Sequence, residues 1–174
     1  MWKKVLTGIA VVVVAVFAVL IWFRFHYSMD VAASYEVDPP DPAHNVLVAT
    51  QGSPFKDAVV TALVDHLKEE KAHVKVIDVS GLPAVDEGQW DAVVILHTWE
   101  YGQPQADAKA FVDRAKDKSK LVVLGTSGQG TLKMDGVDAI SSASVMTEAS
   151  SRAAEIMSRV DGVLGRAAAS GVNE

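Results

Sequence analysis

The 174-residue sequence contains no cysteine. Disulfides, thiolate-held zinc or iron–sulfur centres and thiol nucleophiles are thereby excluded. Aromatic residues are sparse at 7%, and basic residues are outnumbered, 16 Lys+Arg against 22 Asp+Glu, for a net charge of −6. The deficit is uneven. Residues 1–27 hold Lys3, Lys4 and Arg24 and no acid, which leaves the remainder with 13 basic and 22 acidic residues, or −9. A body of that sign lacks the clustered Lys and Arg that phosphate backbones demand, so no nucleic-acid partner is expected. The catalytic signatures G-x-S-x-G and H-E-x-x-H are missing, as are G-x-x-x-x-G-K-[ST] and G-x-G-x-x-G. The five histidines are scattered, and none pairs with acids at metal-ligand spacing, so no metal site is expected.

What the sequence does have is one long apolar run. Val5 to Phe23 are 19 consecutive uncharged residues, mostly Val, Ala, Leu and Ile. A bilayer core needs about 20 apolar residues as helix. Lys3 and Lys4 precede the run and Arg24 follows it; Trp2 marks one end, and Trp22, Phe23, Phe25 and Tyr27 the other. That is the arrangement of an aromatic belt, and it predicts a transmembrane anchor over residues 1–27, in the bilayer through residues 5–23. The rival reading is a cleaved signal peptide. Such a peptide has an apolar stretch of about 7–15 residues closed by small residues. This run is longer and closes in bulky aromatics, with Ala32-Ala33 well beyond it. Two lysines and the amino terminus before the span, against Arg24 and His26 after it, favour an extracytoplasmic body.

Residues 28–44 carry Pro39, Pro40 and Pro42 and read as a stiff, extended stalk. From Asn45 the pattern alternates. Short apolar runs at 46–50, 73–79, 92–96, 121–124 and 137–140 read as strands. Stripes of helical period occupy 55–70, 105–117 and 147–164, while 80–90 is too short for a full helix. A tail after Arg166 is expected to fray, with 169–174 disordered. Such alternation predicts an α/β domain over 45–168, with a parallel sheet covered on both faces. Ligands of such sheets bind beyond the carboxyl ends of the strands. Three loops lie there.

The first is Thr50-Gln51-Gly52-Ser53-Pro54-Phe55. Free amides at a helix start attract phosphate, and Thr50 and Ser53 add hydroxyls. Ser53 followed by Pro54 is equally an ordinary helix start. The second loop holds His97, Thr98, Trp99, Tyr101 and Gly102, where an aromatic ring either stacks on a planar ligand or covers the sheet edge. His97 reads as a packing residue. The third contains Gly125, Thr126, Ser127, Gly128 and Gly130, small enough for close backbone approach to a ligand.

Taken together, the three loops resemble those of the flavodoxin-like family over roughly residues 45–165. Thr98-Trp99 and Gly102-Gln103-Pro104 look like the family's Thr-Trp-Gly or Thr-Tyr-Gly loop, followed by a Pro-led helix. The resemblance implies a three-layer sandwich whose five-stranded parallel sheet has the order 2-1-3-4-5. It also implies non-covalent binding of flavin mononucleotide (FMN) by Thr50, Gln51, Gly52 and Ser53, by Thr98, Trp99, Tyr101 and Gly102, and by Thr126, Ser127 and Gly128. Trp99 would be the stacking residue. Of the family's T-x-T-G-x-T-like phosphate sequence only Thr50 matches; Gly52, Ser53, Pro54 and Phe55 replace the rest. The stretch 136–144 also resembles the D-x-x-[ST]-G-A-[ST] motif of covalently flavinylated domains, in which Ser144 would take FMN and Ser142 stands where the motif has Gly. The resulting expectation is a membrane-anchored flavoprotein that exchanges electrons with an unidentified redox partner protein. If it is an enzyme, it is an FMN-dependent oxidoreductase. The alternatives are a flavin-free interaction module and covalent flavinylation through Ser144.

Overall fold

Val46-Leu47-Val48-Ala49 shows how the body assembles. Successive strand side chains point to opposite faces. Val46 and Val48 bury against one helical layer, Leu47 and Ala49 against the other. Both faces are therefore apolar, and the strand must lie inside a doubly covered sheet. The computed structural model describes residues 2–27 and 29–171. Its elements are α1 (Trp2–Tyr27), β1 (Tyr35–Val37), β2 (His44–Thr50), α2 (Pro54–Glu69), β3 (Ala72–Asp78), β4 (Ala92–Glu100), β5 (Gln103–Pro104), α3 (Ala106–Arg114), β6 (Leu121–Thr126), β7 (Asp138–Ser142) and α4 (Ala149–Gly171). Two 3₁₀ turns, Val79–Ala84 and Glu87–Gln89, replace a crossover helix between β3 and β4.

The parallel strands stand in the order β3-β2-β4-β6-β7, which is 2-1-3-4-5 when they alone are counted. The expected count of five is corrected to seven. β1 adds to β3 antiparallel, with Tyr35 opposite Val76, and β5 folds back on β4, with Trp99 opposite Pro104. One face carries α2 and α4, with Leu63, Leu67, Ile156 and Val160 at its centre. The other carries α3 and the first 3₁₀ turn, with Phe111, Val112 and Leu82. Truncating a side chain as enclosed as Leu63, which has no exposed surface, costs about 2–5 kcal/mol.

Two further expectations change. The segment read as a stiff, extended stalk lies against the domain: Asp30 bridges to Gly52, the Ala32 amide donates to Asp78 Oδ2 at 2.9 Å, and β1 joins the sheet. The last helix does not end near Arg166 but continues to Gly171, because Ala167-Ala168-Ala169 are strong helix formers. Residues 172–174 of the expected tail lie outside the described residues. At the other end, α1 is long and apolar enough to cross a membrane and packs none of that apolar surface inside the protein.

Candidate functional site

The carboxyl ends of β2, β4, β6 and β7 converge on a cavity of about 440 Å³. Of the residues singled out from sequence, Ser53, Thr98, Trp99, Thr126, Ser127, Gly128 and Ser144 line it. Thr50 and Gly52 instead line a neighbouring cleft of about 430 Å³ beside Asp30 and Val31. Gln51 is buried beneath, its Oε1 accepting the Thr98 amide at 2.6 Å. Tyr101 and Gly102 form the tip of the β4–β5 hairpin, both at positive φ (52° and 76°), as the favoured two-residue turns require. The Tyr101 ring is 94% exposed and stands clear of the cavity.

Two amides of the first loop are already engaged. The Gly52 amide donates to the Asp30 carbonyl at 2.7 Å and the Gln51 amide to the Leu96 carbonyl at 3.2 Å. Ser53 is the N-cap of α2, its Oγ accepting the Lys56 amide at 3.3 Å, and Pro54 has no amide proton to offer. Gly52 is required here because a Cβ would sit 2.8 Å from the Asp30 carbonyl oxygen. The loop is thus built as a capped helix start, closed by the chain's own amino-terminal segment.

The residue that sequence reasoning missed is Lys56. It lies in the first turn of α2 with 1% of its surface exposed. Its Nζ donates to Thr98 Oγ1 at 2.7 Å and lies 3.4 Å from Met29 Sδ. Thr98 Oγ1 in turn lies 3.0 Å from Thr126 Oγ1, which donates to the His97 carbonyl at 3.2 Å. Thr98 Oγ1 also lies 3.2 Å from Met29 Sδ, so its single proton serves either that sulfur or Thr126. Burial pushes the Lys56 ammonium down to about 8, although Asp57 and Glu100 favour its charge. Among the described residues no carboxylate forms an ion pair with it. The available signal was spacing: Lys56 shares the stripe of Val59, Val60, Leu63 and Leu67, so its side chain enters the core face.

Trp99 lines the cavity and also packs against Gly125. Its indole lies over Gly125, where an added Cβ would be 2.7 Å from Nε1, and its ring centroid is 6.0 Å from that of His97 at 45°. Trp99 Nε1 and His97 Nε2 are both buried without a hydrogen-bond partner. His97 is fully enclosed, and burial pushes its imidazole down to about 4, so it is neutral at pH 7. Its Nδ1 lies 3.3 Å from the Thr98 carbonyl and 3.5 Å from the Gln105 amide. Ser144 holds a left-handed backbone (φ 59°), and its amide donates to Ser142 Oγ at 3.3 Å.

No protein-family model and no curated protein matches the chain. Solved structures do. A flavodoxin from the domain Archaea is 14% identical, with a TM-score of 0.47 over 68% of this chain and 98% of that one. A flavo di-iron protein of Thermotoga maritima carrying a histidine substitution is 15% identical, with a TM-score of 0.50 over 73% of this chain and 37% of that one. This chain therefore spans little more than a third of the flavo di-iron protein. Together with the 2-1-3-4-5 order, the likeness gives the chain a flavodoxin-like fold.

Proposed function

We propose that this flavodoxin-like chain is held in a membrane by α1 and binds FMN non-covalently at the carboxyl edge of its sheet, serving electron transfer close to the bilayer. The observation that carries this reading is Lys56, a buried ammonium without a carboxylate partner, facing a 440 Å³ cavity where the topology directs ligands. Cavities of this size suit small cofactors. The residues fit the group in a revised form. Lys56 would hold the phosphate in place of the loop amides, since a desolvated cation–anion pair is stronger than neutral hydrogen bonds. Ser53, Ser127 and Ser144 add hydroxyls, and Phe55, Trp99 and Met146 offer apolar wall to a ring. Met29, a flexible thioether, would yield its place beside Nζ. FMN, when bound, supplies reversible electron transfer; the chain supplies position and electrostatics. The charge of −9 outside residues 1–27 suits docking to a basic redox partner protein. The charge bias around α1 favours an extracytoplasmic domain.

A second reading, a flavin-free interaction module, is favoured by one observation: the Gly52 amide that a phosphate would recruit is held by Asp30. One titration separates the two. Full-length chain in nanodiscs is titrated with FMN while flavin absorption and tryptophan emission are followed. Saturation near one equivalent supports the flavoprotein. Signals unperturbed by excess FMN leave the interaction module.

A further inference from the structure

We infer that the edge of the domain around the cavity mouth, the apolar rim formed by the loops that carry Val31, Tyr101, Leu132, Val145 and Met146 at the carboxyl ends of the strands, rests on the surface of the bilayer that holds α1. The inference rests on α1 being a membrane anchor and adds where the site faces.

The first argument is the length of the tether. Residues 28–44, were they free, would let the domain stand roughly 55–60 Å from the membrane. They are not free, because Asp30, Ala32 and β1 are bonded to the domain. Met29 already lines the cavity, and only Ser28 separates it from the last residue of α1. The apolar span ends at Trp22. Five helical residues from there to Tyr27 rise about 7.5 Å, and two extended steps to Met29 add at most about 7 Å. The cavity therefore lies within about 15 Å of the end of the span, and the headgroup layer is itself on the order of 5–7 Å deep.

The second argument is independent of the first. Outside α1, six large hydrophobic side chains are exposed among the described residues: Val31, Tyr35, Tyr101, Leu132, Val145 and Met146. Tyr35 sits on the edge strand β1. The other five lie in segments at the carboxyl ends of the parallel strands, around the end to which α1 attaches. Exposed apolar groups gathered on one face mark an interaction surface. A tyrosine 94% exposed on a hairpin tip has the amphipathic ring that settles at headgroup depth. A lipid surface at this edge satisfies the short tether and the apolar rim together. A ligand entering the cavity then arrives from the interface, which suits amphiphilic molecules that partition into lipid.

The absence of cysteine makes the test direct. Full-length Tyr101→Cys, Met146→Cys and, as an amino-edge control, Glu70→Cys variants carry one fluorophore each and are reconstituted in phosphatidylcholine vesicles with or without headgroup-nitroxide lipid. Flotation with vesicles after an alkaline wash reports the anchor. Quenching several-fold stronger at 101 and 146 than at 70 supports the inference. Equal quenching at all three positions in vesicles that float with the protein overturns it while the anchor stands, and leaves a protein partner to cover the rim. Failure to float overturns the anchor and the inference together. Tyr101→Asp/Met146→Asp, labelled at Val145→Cys, is expected to lose most of the excess quenching; unchanged quenching there also overturns the inference.

Discussion

Lys56 Nζ donates to Thr98 Oγ1 at 2.7 Å across 42 residues of sequence, and this bond joins the start of α2 to the end of β4 at the floor of the cavity. The ammonium has been taken out of water without an ion-pair partner, a costly state for the fold. Lys56→Met keeps the stem's volume and removes the charge. The melting temperature is expected to stay level or rise, since replacing buried charges by apolar side chains is often neutral or stabilising. FMN affinity is expected to fall roughly 10- to 100-fold, the worth of a charged hydrogen bond of about 1.5–3 kcal/mol. A thermal melt and a flavin titration on the same preparation check both. Unchanged affinity would remove Lys56 from the phosphate site.

The same side chain sets a pH dependence. Burial lowers its value from 10.5 to about 8. Between these values the unfolded chain binds a proton that the native chain releases, so stability rises with pH. The stabilising contribution is fully present above 10.5 and is lost as pH falls through about 8. Anion binding runs the other way. Above pH 8 a proton must be taken up with the ligand, and affinity is expected to drop by up to about tenfold per pH unit. Isothermal titration at pH 7, 8 and 9 measures this, and Lys56→Met should flatten the profile.

The sheet was legible because β2, β4 and β6 are short apolar runs that alternate with helical stripes, a pattern that fits doubly covered parallel strands. β1 was not, because Tyr35-Glu36-Val37 is three residues followed by Pro39 and Pro40, and a strand that brief is defined by its partner β3 rather than by its own period. Met29 and Asp30 carried no local signal for the same reason: their contacts are to Gly52, Lys56 and Thr98, distant in sequence. Lys56 was overlooked because a charge within a helix reads as a solvated face unless the phase of the stripe is followed back to the first turn.

Trp99 and Gly125 form a pair that tolerates no added carbon. A Cβ at residue 125 would meet Trp99 Nε1 at 2.7 Å and Cδ1 at 3.3 Å. Gly125→Ala is expected to destabilise by about 1–3 kcal/mol through overpacking, and to drive the indole toward water. Trp99→Phe in the same background should recover part of that cost, and the coupling energy from the double-mutant cycle is expected to exceed about 0.5 kcal/mol. Emission of Gly125→Ala should shift to the red relative to the parent, and that shift should vanish with Trp99→Phe. Equal destabilisation with and without Trp99 would show that the pair is not in contact.

The strap that holds residues 30–37 against the domain hangs on Asp78. Its Oδ2 accepts the Ala32 amide and its Oδ1 the Ser80 amide, each at 2.9 Å. Asp78→Ala frees both and is expected to cost about 1–2 kcal/mol. Hydrogen exchange should rise at Ala32 and Gly52, whose amides hold the strap, and stay slow at Val94 and Val123 inside the sheet. Unchanged exchange at Ala32 would mean that β1 and the Asp30–Gly52 bond retain the segment without Asp78.

His97 gives the acid limb of stability. The imidazole is fully enclosed, and burial holds it at about 4 against an ordinary 6.5, helped by the nearby Lys56 charge and opposed by the Thr98 carbonyl. Below 6.5 the unfolded chain takes up a proton that the native chain refuses, so the contribution is fully present above 6.5 and is lost as pH falls through about 4. Between pH 7 and pH 5 this amounts to about 2 kcal/mol of lost stability. Glu36, Asp117 and Glu155 are also held below their ordinary range, but carboxylates of that kind act below pH 5. Denaturant melts at pH 7, 6 and 5 isolate the histidine. His97→Gln should remove most of the slope in that interval even if its absolute stability is lower. Ring protons of His97 that titrate near 6.5 in the native chain would refute the assignment, because a solvated imidazole cannot supply the effect.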